Sequence, residues 1–240
     1  MKINWDYIKG FLLLFLVVFL YSFSSQKNSI KKVQDIVVEF EEGDNLFMNH
    51  QMVNKLLIQN GTTIKNQAKS VIDLHKLETN VLLHPMVEEA AVFLTINGVL
   101  KTKIKQRTPI ARIVTETGSY YIDKQSKKMP LSTNHSARVL LVSGDIVEQD
   151  VHEIHDLVTA ILKDEFLKKQ IIGIQKMKNQ EYVLITRVGD QEIFIGKAKN
   201  LKQKFKNLNS FYSKAMTDKT IDSYSAINLK YNNQVVCTKK

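Results

Sequence analysis

His152 and His155 come closer than any other residues to the spacing of a catalytic or metal site. They stand at positions i and i+3 of a predicted helix, next to Glu153 and Asp156, and imidazoles on one helix face can bind the same metal ion. The pattern includes no third ligand and no H-E-x-x-H motif. A solvated polar helix face is the favoured interpretation, so the sequence predicts no metal site and no catalytic residue.

Glycine and cysteine usage narrows the possible chemistry further. The nine glycines of the 240 residues form neither a phosphate loop nor a dinucleotide fingerprint, so no cofactor is predicted. Gly118-Ser119 lacks the flanks of a nucleophile elbow. Cys237 is the only cysteine, which leaves no intrachain disulfide and no thiolate cluster. These features favour a protein that binds other proteins over an enzyme. No small-molecule substrate is predicted.

Positive charge is a second possible source of function. The formal net charge is +10 at pH 7 and the isoelectric point is near 9.4, which suits nucleic acid, anionic lipid or acidic partners. The lysines are scattered, however. The basic run Lys197–Lys206 carries an apolar stripe, which indicates an amphipathic helix with its lysines in water. We therefore predict no binding of nucleic acid.

One stretch is apolar enough to cross a membrane. Gly10–Gln26 contains no charged residue, and at about 1.5 Å per residue a helix of this length nearly spans a hydrocarbon core of about 30 Å. Trp5, Tyr7 and Tyr21 lie where interfacial aromatic residues are expected. A retained anchor is favoured over a cleaved secretory signal, for which Ser22–Ser24 would be a weak cleavage site. The flanking charges leave the orientation open.

Between this stretch and Pro109, strand and helix periods alternate. The predicted elements are a strand Val33–Phe40, a helix Asn49–Asn60, a helix that starts at the N-cap Asp73 and ends before Pro85, and two strands, Val87–Ile96 and Leu100–Lys105. Asn97-Gly98 joins the two strands and predicts a type I′ turn, in which both residues have positive φ. The order β-α-α-β-β predicts a small domain with two helices covering a sheet.

Beyond Pro109 the pattern is mostly that of strands, with two amphipathic helices. The predicted strands are Ile110–Glu116, Tyr120–Asp123, Val139–Val142, Tyr182–Val188, Glu192–Ile195, Tyr224–Tyr231 and Gln234–Cys237. The first helix opens with Asp150 and Glu153, spaced as an acidic capping box. The second helix carries Leu201, Phe205 and Leu208 on its apolar face. The fold class is therefore α+β.

Four short motifs, in this order, resemble those of a known family. They are Gln106–Ala111, similar to an E-R-x-P-x-A segment; Tyr121–Asp123 with Met129–Ser132, similar to a Y-I-D…P-L-S run; Leu140–Gly144, similar to a strand ending in glycine; and Ile227–Tyr231, similar to a D-L-R-Y stretch. By these motifs the chain resembles the FtsQ/DivIB bacterial cell-division proteins over nearly all of its length. Gln106, Asn228 and Lys230 replace the usual Glu, Asp and Arg. The turn Lys124–Lys128 lacks the usual glycine.

The resemblance implies a domain order. It comprises a cytoplasmic tail at residues 1–9, a transmembrane anchor at 10–26, a linker at 27–32, a POTRA domain at 33–107 and a β-rich domain with two helices at 108–240. The anchor is expected in the cell inner membrane, with the soluble domains in the periplasm.

The resemblance also implies a non-enzymatic scaffold that recruits and links cell-division proteins at the septum. The β domain is expected to bind an FtsB/FtsL-like pair through its C-terminal edge strand, and the POTRA domain to bind other divisome proteins. An exposed strand edge can accept a partner strand. The implied partner-binding residues are Tyr231, Asn233, Gln234, Val235, Val236 and Cys237. Two alternatives stay open: a membrane-tethered cytoplasmic domain that binds nucleic acid, and a POTRA module in outer-membrane transport.

Overall fold

The computed structural model of the chain describes residues 5–41, 47–59, 61–231 and 234–240. The fold is α+β, as predicted, and it divides into two compact units between Gln106 and Arg107. The helices are α1 (Trp5–Ile30), α2 (His50–Leu56), α3 (Leu74–Leu82), α4 (Val151–Lys163), α5 (Leu167–Gln170) and α6 (Leu201–Thr217). The strands are β1 (Asp35–Glu41), β2 (Ile58–Gln59), β3 (Thr62–Thr63), β4 (Val87–Leu94), β5 (Val99–Gln106), β6 (Pro109–Thr115), β7 (Gly118–Asp123), β8 (Lys128–Met129), β9 (Leu140–Gly144), β10 (Ile171–Lys176), β11 (Tyr182–Thr186), β12 (Glu192–Gly196), β13 (Tyr224–Asn228) and β14 (Val236–Lys239).

α1 has the length and composition of a membrane-spanning helix. Its segment Ile8–Asn28 has a mean hydropathy of 2.0, and none of it is buried against the rest of the chain. A helix satisfies its backbone hydrogen bonds internally, which a hydrocarbon environment requires. α1 continues to Ile30, so residues 27–30, predicted to begin a polar linker, are helical.

The first unit has a sheet of the order β1-β5-β4, covered by α2 and α3. β4 and β5 form an antiparallel hairpin, and β1 lies parallel to β5. Side-chain oxygens of Asn49 and Asp73 accept hydrogen bonds from the first turns of α2 and α3, which confirms Asp73 as an N-cap. The core is built from both layers; its fully buried members include Val53, Leu77, Val81, Leu100 and Ile104.

The predicted length of the helix that corresponds to α2 is wrong. α2 ends at Leu56, and the predicted end, Asn60, lies outside the described residues. Ile58–Gln59 instead pairs with Thr62–Thr63 as a short antiparallel hairpin. Gly61 turns the chain there with φ of +74°, so this glycine serves a hairpin and not a helix cap.

The predicted turn between β4 and β5 is also wrong in type. Gly98 has φ of +85°, but Asn97 is not at positive φ, as a type I′ turn would require. The Gly98 N–H donates to the Thr95 carbonyl at 3.1 Å, and the Thr95 N–H donates to the Val99 carbonyl at 3.0 Å. This is the pattern of a three-residue loop closed by a glycine bulge.

Nine strands among the described residues of the second unit form a mixed sheet, in the order β14-β13-β12-β11-β10-β9-β6-β7-β8. β6–β9, β9–β10 and β12–β13 are parallel pairs, and the remaining pairs are antiparallel. The sequence pattern missed α5 and the central strand β10, so it also missed that β9 and β10 are neighbours.

Two of the parallel pairs are β-α-β crossovers: β9–α4–β10 and β12–α6–β13. Their strands run in the same direction, since β11 is antiparallel to both β10 and β12. Right-handed crossovers that advance the same way across a sheet place their helices on the same face. α4 and α6 accordingly contact each other. Between them and the sheet lies the core, whose fully buried members include Ile154, Leu157, Ile161, Ile174, Leu184, Ile193, Leu208 and Ile227.

Candidate functional site

β14 is the terminal strand of the sheet order and pairs with β13 on one side. Within the described part of the chain, no strand pairs with its other side. The strand begins at Val236 and ends at Lys239, whereas Gln234–Cys237 was the predicted range. Gln234 and Val235 therefore precede the strand, and Thr238 and Lys239 join the candidate edge. No alternation marks Thr238 and Lys239, because both are exposed, so the hydrophobic pattern could not have extended the strand to them.

The outer side of β14 presents the main-chain groups of alternate residues. The Lys240 N–H donates to the Ser223 carbonyl at 2.9 Å, on the β13 side. Successive residues of an antiparallel strand direct their N–H and C=O groups to opposite sides. Thr238 and Val236 therefore bond toward β13, while Cys237 and Lys239 face outward. The N–H groups of both residues and the Cys237 carbonyl are available to an added strand, whereas the Lys239 carbonyl lies 3.5 Å from Ser225 Oγ, which donates to it.

The side chains of the predicted site residues divide between the two faces of the sheet. Val235 and Cys237 are half-buried and pack against the core. Burial raises the pKa of the Cys237 thiol, which keeps it protonated at neutral pH. Val236 is 42% exposed, and Gln234 is also exposed. Asn233 lies outside the described residues.

Tyr231 follows β13 and is 53% exposed. Lys230, the residue before it, makes three contacts that fix its position. The Lys230 ammonium pairs with Glu181 and lies 6.0 Å from the ring centroid of Phe194. The Lys230 N–H donates to Asn228 Oδ1 at 2.9 Å. Asn228 thus supplies an acceptor oxygen where the family motif has Asp, and Lys230 supplies a cation in place of Arg.

Two shallow grooves flank the candidate edge. One lies between the first turns of α6 and Tyr231, with Lys206 on its rim. The other lies between the later part of α6 and Val235, with Lys214 on its rim. The edge therefore combines outward main-chain groups with an exposed aromatic ring, both of which are features of protein-binding surfaces.

Arg107 and Asp123, from two of the sequence motifs, form a buried ion pair. Arg107 Nη1 donates to Asp123 Oδ2 at 2.7 Å, and the two side chains are only 10% and 3% exposed. Asp123 Oδ1 also accepts the N–H groups of Gln125 and Lys127, as a buried carboxylate needs. The pair fixes the β7–β8 turn. Ser126 has φ of +63° there, so it takes the left-handed conformation in a turn that lacks the usual glycine.

Gln106 and Gly144 also have structural explanations. Gln106 Oε1 accepts the N–H groups of Phe47 and Met48 at 3.1 and 3.0 Å, and a glutamate oxygen would do the same. Gly144 has φ of +109°, and a side chain there would overlap the carbonyl oxygen of Lys176 in the neighbouring strand. The motif glycine at the end of β9 thus permits close contact with β10.

His152 and His155 lie beside the β7–β8 turn. His155 Nε2 is 3.0 Å from the Lys124 carbonyl oxygen, and His152 Nδ1 is 3.2 Å from Ser126 Oγ. Throughout the residues that the structure describes, no group of three or more His, Cys, Asp or Glu side chains could hold a metal ion. The two histidines instead join α4 to this turn.

The predicted acidic capping box of α4 is wrong, because Asp150 makes no side-chain cap bond to that helix. Asp150 Oδ2 pairs with Lys176 Nζ at 2.7 Å, where the side chains are 12% and 4% exposed. Glu153 Oε2 accepts the Tyr182 hydroxyl at 3.0 Å. Burial and this hydrogen bond raise the pKa of Tyr182. Both carboxylates therefore serve the sheet beneath the helix.

Comparison with protein families covers both units. The model of a family described as FtsQ/DivIB, C-terminal related, matches residues 108–238, which is more than half of the chain. A model of a POTRA-like domain matches residues 31–105. No curated protein matches the chain. The long apolar helix, the POTRA-like unit and the β-rich unit follow each other in the expected order, and the chain belongs to the FtsQ/DivIB family.

Proposed function

We propose that the chain is a scaffold of the bacterial division machinery, anchored by α1 in the inner membrane with both units in the periplasm. Family membership and the POTRA-like unit support a role in cell division, and the hydropathy of α1 supports the anchor. In this role the POTRA-like unit binds other divisome proteins, and the β-rich unit binds an FtsB/FtsL-like pair. The protein catalyses no reaction and links its partners at the septum.

The observation that carries the proposal is the outward-facing main chain of β14. A partner segment that adds as a strand would bond to the N–H and C=O groups of Cys237 and to the N–H of Lys239, which supply affinity with little dependence on sequence. Val236 and Tyr231 are exposed beside that strand and would supply specificity. The covered face of the sheet plays no direct part in this recognition.

Strand addition predicts that Lys239→Pro abolishes capture of the FtsB/FtsL-like pair, whereas Lys239→Ala leaves it nearly unchanged. Both substitutions remove the same exposed, charged side chain, but only proline removes the outward N–H. Proline is tolerated in an edge strand where its N–H would face solvent, so the β13–β14 ladder persists. The measurement is capture by the detergent-solubilised full chain, after cooperative melting has been shown for each variant.

Cys237→Pro and Cys237→Ala form a second matched pair at the other outward-facing residue. A folded proline variant that captures the pair at wild-type levels at both positions would exclude strand addition at β14. Equal loss of capture in Lys239→Ala would instead show that the lysine charge, and not the main chain, is recognised.

A separate prediction concerns the aromatic ring beside the edge. Tyr231→Ala should weaken capture by about 2 kcal/mol or more, as expected for an aromatic hot spot. The effect on stability should stay within about 0.5 kcal/mol, because the side chain is more than half exposed. Titration of the solubilised protein with its partner measures the first quantity, and urea unfolding the second. Val188→Ala, at a 69% exposed apolar residue outside the site, is the control and should leave binding unchanged.

A further inference from the structure

The end of α1 is joined to the first unit without a free linker. The Lys69 N–H donates to the Lys31 carbonyl at 2.9 Å, and the Val33 N–H donates to the Gln67 carbonyl at 2.9 Å. Lys32 forms a β-bridge with Ala68 between these two bonds. The chain leaving the helix is thus paired with residues 67–69 from its first extended residues, which fixes α1 relative to the unit it carries.

The tip of the β4–β5 hairpin is held at the same place. The Gln34 N–H donates to the Gly98 carbonyl at 2.8 Å, and Lys69 Nζ donates to the carbonyls of Thr95 and Ile96 at 2.9 and 3.0 Å. A side chain at Gly98 would come within 2.9 Å of the Lys32 carbonyl oxygen. This close approach keeps the hairpin tip beside the end of α1.

Exposed apolar side chains surround the end of the helix. Ile96 at the hairpin tip is 82% exposed, Val71 is 62% exposed and Ile30 is 67% exposed. We name these three residues, together with Lys27, Lys31 and Lys32, the collar. Ile96 lines a common groove with Ser24, Lys27 and Lys31, so it reaches the level of the last turns of the apolar segment Ile8–Asn28.

The charge around the collar has one sign. The segments 27–34, 68–72 and 95–99, to which the collar residues belong or which adjoin them, contain four lysines and no aspartate or glutamate; of the two adjoining acids, Asp35 pairs with Lys65 and Asp73 caps α3. Elsewhere in the same unit lysines stand opposite carboxylates, as Lys101 does with Glu39 and Lys105 with Glu88 and Glu89. An acid-free rim of lysines around exposed isoleucine and valine matches an anionic lipid surface, where basic residues attract phosphates and apolar ones enter the interface.

We propose that the collar is a membrane-contact surface that seats the first unit on anionic phospholipid headgroups of the bilayer that α1 spans. Ile96 and Val71 enter the headgroup region, and Lys27, Lys31 and Lys32 face lipid phosphates. The unit then stands on the membrane at two points, the helix and the hairpin tip. This inference rests on the proposed anchoring by α1 and adds a second, lipid-dependent contact.

Depth-dependent fluorescence quenching of the full chain in vesicles tests the collar. A polarity-sensitive fluorophore is attached to Ile96→Cys, in a Cys237→Ser background, in vesicles containing phosphatidylglycerol and lipids that carry quenchers at headgroup or mid-acyl depth. Leu83→Cys is the matched control, because Leu83 is 75% exposed but lies before the start of β4, at the end opposite the hairpin tip. Leu14→Cys, within the apolar segment of α1, reports on the anchor.

The three labels separate the possible results. Quenching of Ile96 by the headgroup quencher, with Leu83 unquenched and Leu14 quenched at mid-acyl depth, supports the collar. If Leu14 is quenched and Ile96 behaves like Leu83, the anchor stands and the collar is overturned. If Leu14 is not quenched by lipid, the anchoring fails and the collar falls with it.

The lipid class is tested with the same Ile96 label. Quenching should be lost when phosphatidylglycerol is replaced by phosphatidylcholine, and it should also be lost in Lys27→Gln/Lys31→Gln. Lys55→Gln/Lys103→Gln, which removes the same charge from α2 and β5, should keep the wild-type signal. Equal quenching in both lipids and in both double variants would overturn the assignment to anionic headgroups.

Discussion

At the scale of residues, two of the replacements in the family motifs accept backbone hydrogen bonds that a carboxylate could also accept. Gln106 and Asn228 each present a carbonyl oxygen to backbone N–H groups, where a carboxylate would otherwise stand. The bond from the Lys230 N–H to Asn228 spans only two residues and is a local turn. The role of Gln106 could not be predicted from its motif, because only the folded chain brings Phe47 and Met48 near it. The same holds for Asp150 and Glu153, whose spacing fitted a helix cap and whose partners, Lys176 and Tyr182, lie in the sheet.

The ion pair beside Tyr231 makes local stability depend on pH. The hydrogen bond from Lys230, the largest contribution, holds the pKa of Glu181 below its ordinary value of 4.5. A carboxyl group with a lowered folded-state pKa stabilises the fold above its unfolded pKa, and this stabilisation is lost as the pH falls through the folded value. We expect the difference in melting temperature between the wild type and Glu181→Gln to persist from pH 7 to about 4.5 and to shrink below 4.5, as the pH falls through the lowered folded-state pKa.

Calorimetry or circular dichroism at each pH gives both melting temperatures. Asp190→Asn, at an exposed acid outside this pair, is the control. A difference between wild type and Glu181→Gln that stays constant over the whole range would contradict a stabilising role for the pair.

At the scale of elements, hydrophobic periodicity and turn residues predicted most strands and helices. They failed at β10, a central strand in which apolar and polar residues do not alternate. In β10, Lys176 occupies a buried position where an apolar residue is expected, and Gly173 occupies the opposite face, beside Leu141 and Ile185. Ile185 of the next strand packs over Gly173, and Lys176 is buried only because Asp150 neutralises it. Neither compensation is local in sequence. Because β10 was not predicted, the β9–α4–β10 crossover was not recognised either. The shared geometry of the two crossovers, which places α4 and α6 on one face of the sheet, was therefore not predicted.

The β9–β10 contact predicts a large loss of stability for Gly144→Ala. Adopting φ near +109° costs an alanine about 1–3 kcal/mol by itself. In addition, its methyl group would overlap the Lys176 carbonyl and force two central strands apart. Gly118→Ala is the matched control: its φ of +153° is also unfavourable, but nothing lies within 4 Å of the new methyl group.

Urea unfolding of both variants separates conformational strain from the clash. Gly144→Ala should lose clearly more stability than Gly118→Ala. Equal losses of stability in the two variants would mean that the strands adjust to the methyl group without cost. The positive φ alone would then explain why glycine is needed at position 144.

At the scale of the whole molecule, composition and hydropathy predicted an anchored protein whose soluble part is one large domain or two small ones, and the motifs supplied the family and its two-domain plan. The net charge of +10 did not decide the side of the membrane. This was to be expected, because lysines flank α1 at both ends and large domains are translocated largely regardless of their charge. The site residues depended on the resemblance, since no local pattern distinguishes a binding edge from an ordinary one.

The proposed orientation predicts that protease added to intact spheroplasts degrades both soluble units. Full-length protein should be found in the membrane fraction before digestion, because α1 is retained. Immunoblotting with an antibody against the β-rich unit follows the reaction, and a cytoplasmic protein serves as the control for intact cells. Complete protection would place the units in the cytoplasm, whereas a mature form beginning near Ser25 would identify α1 as a cleaved signal.

The short stretch over which β13 pairs with β12 affects the lifetime of any complex formed at β14. Only three residue pairs, from Glu192–Ala226 to Phe194–Asn228, register the last hairpin on the sheet, and such peripheral segments open locally at a lower free energy than the whole fold. A strand docked on β14 leaves together with the hairpin whenever the hairpin detaches. The docked strand is then held by the hairpin alone, without the rest of the sheet to keep the edge in place, and substitutions in β12 that touch no partner can therefore shorten the residence time of the complex.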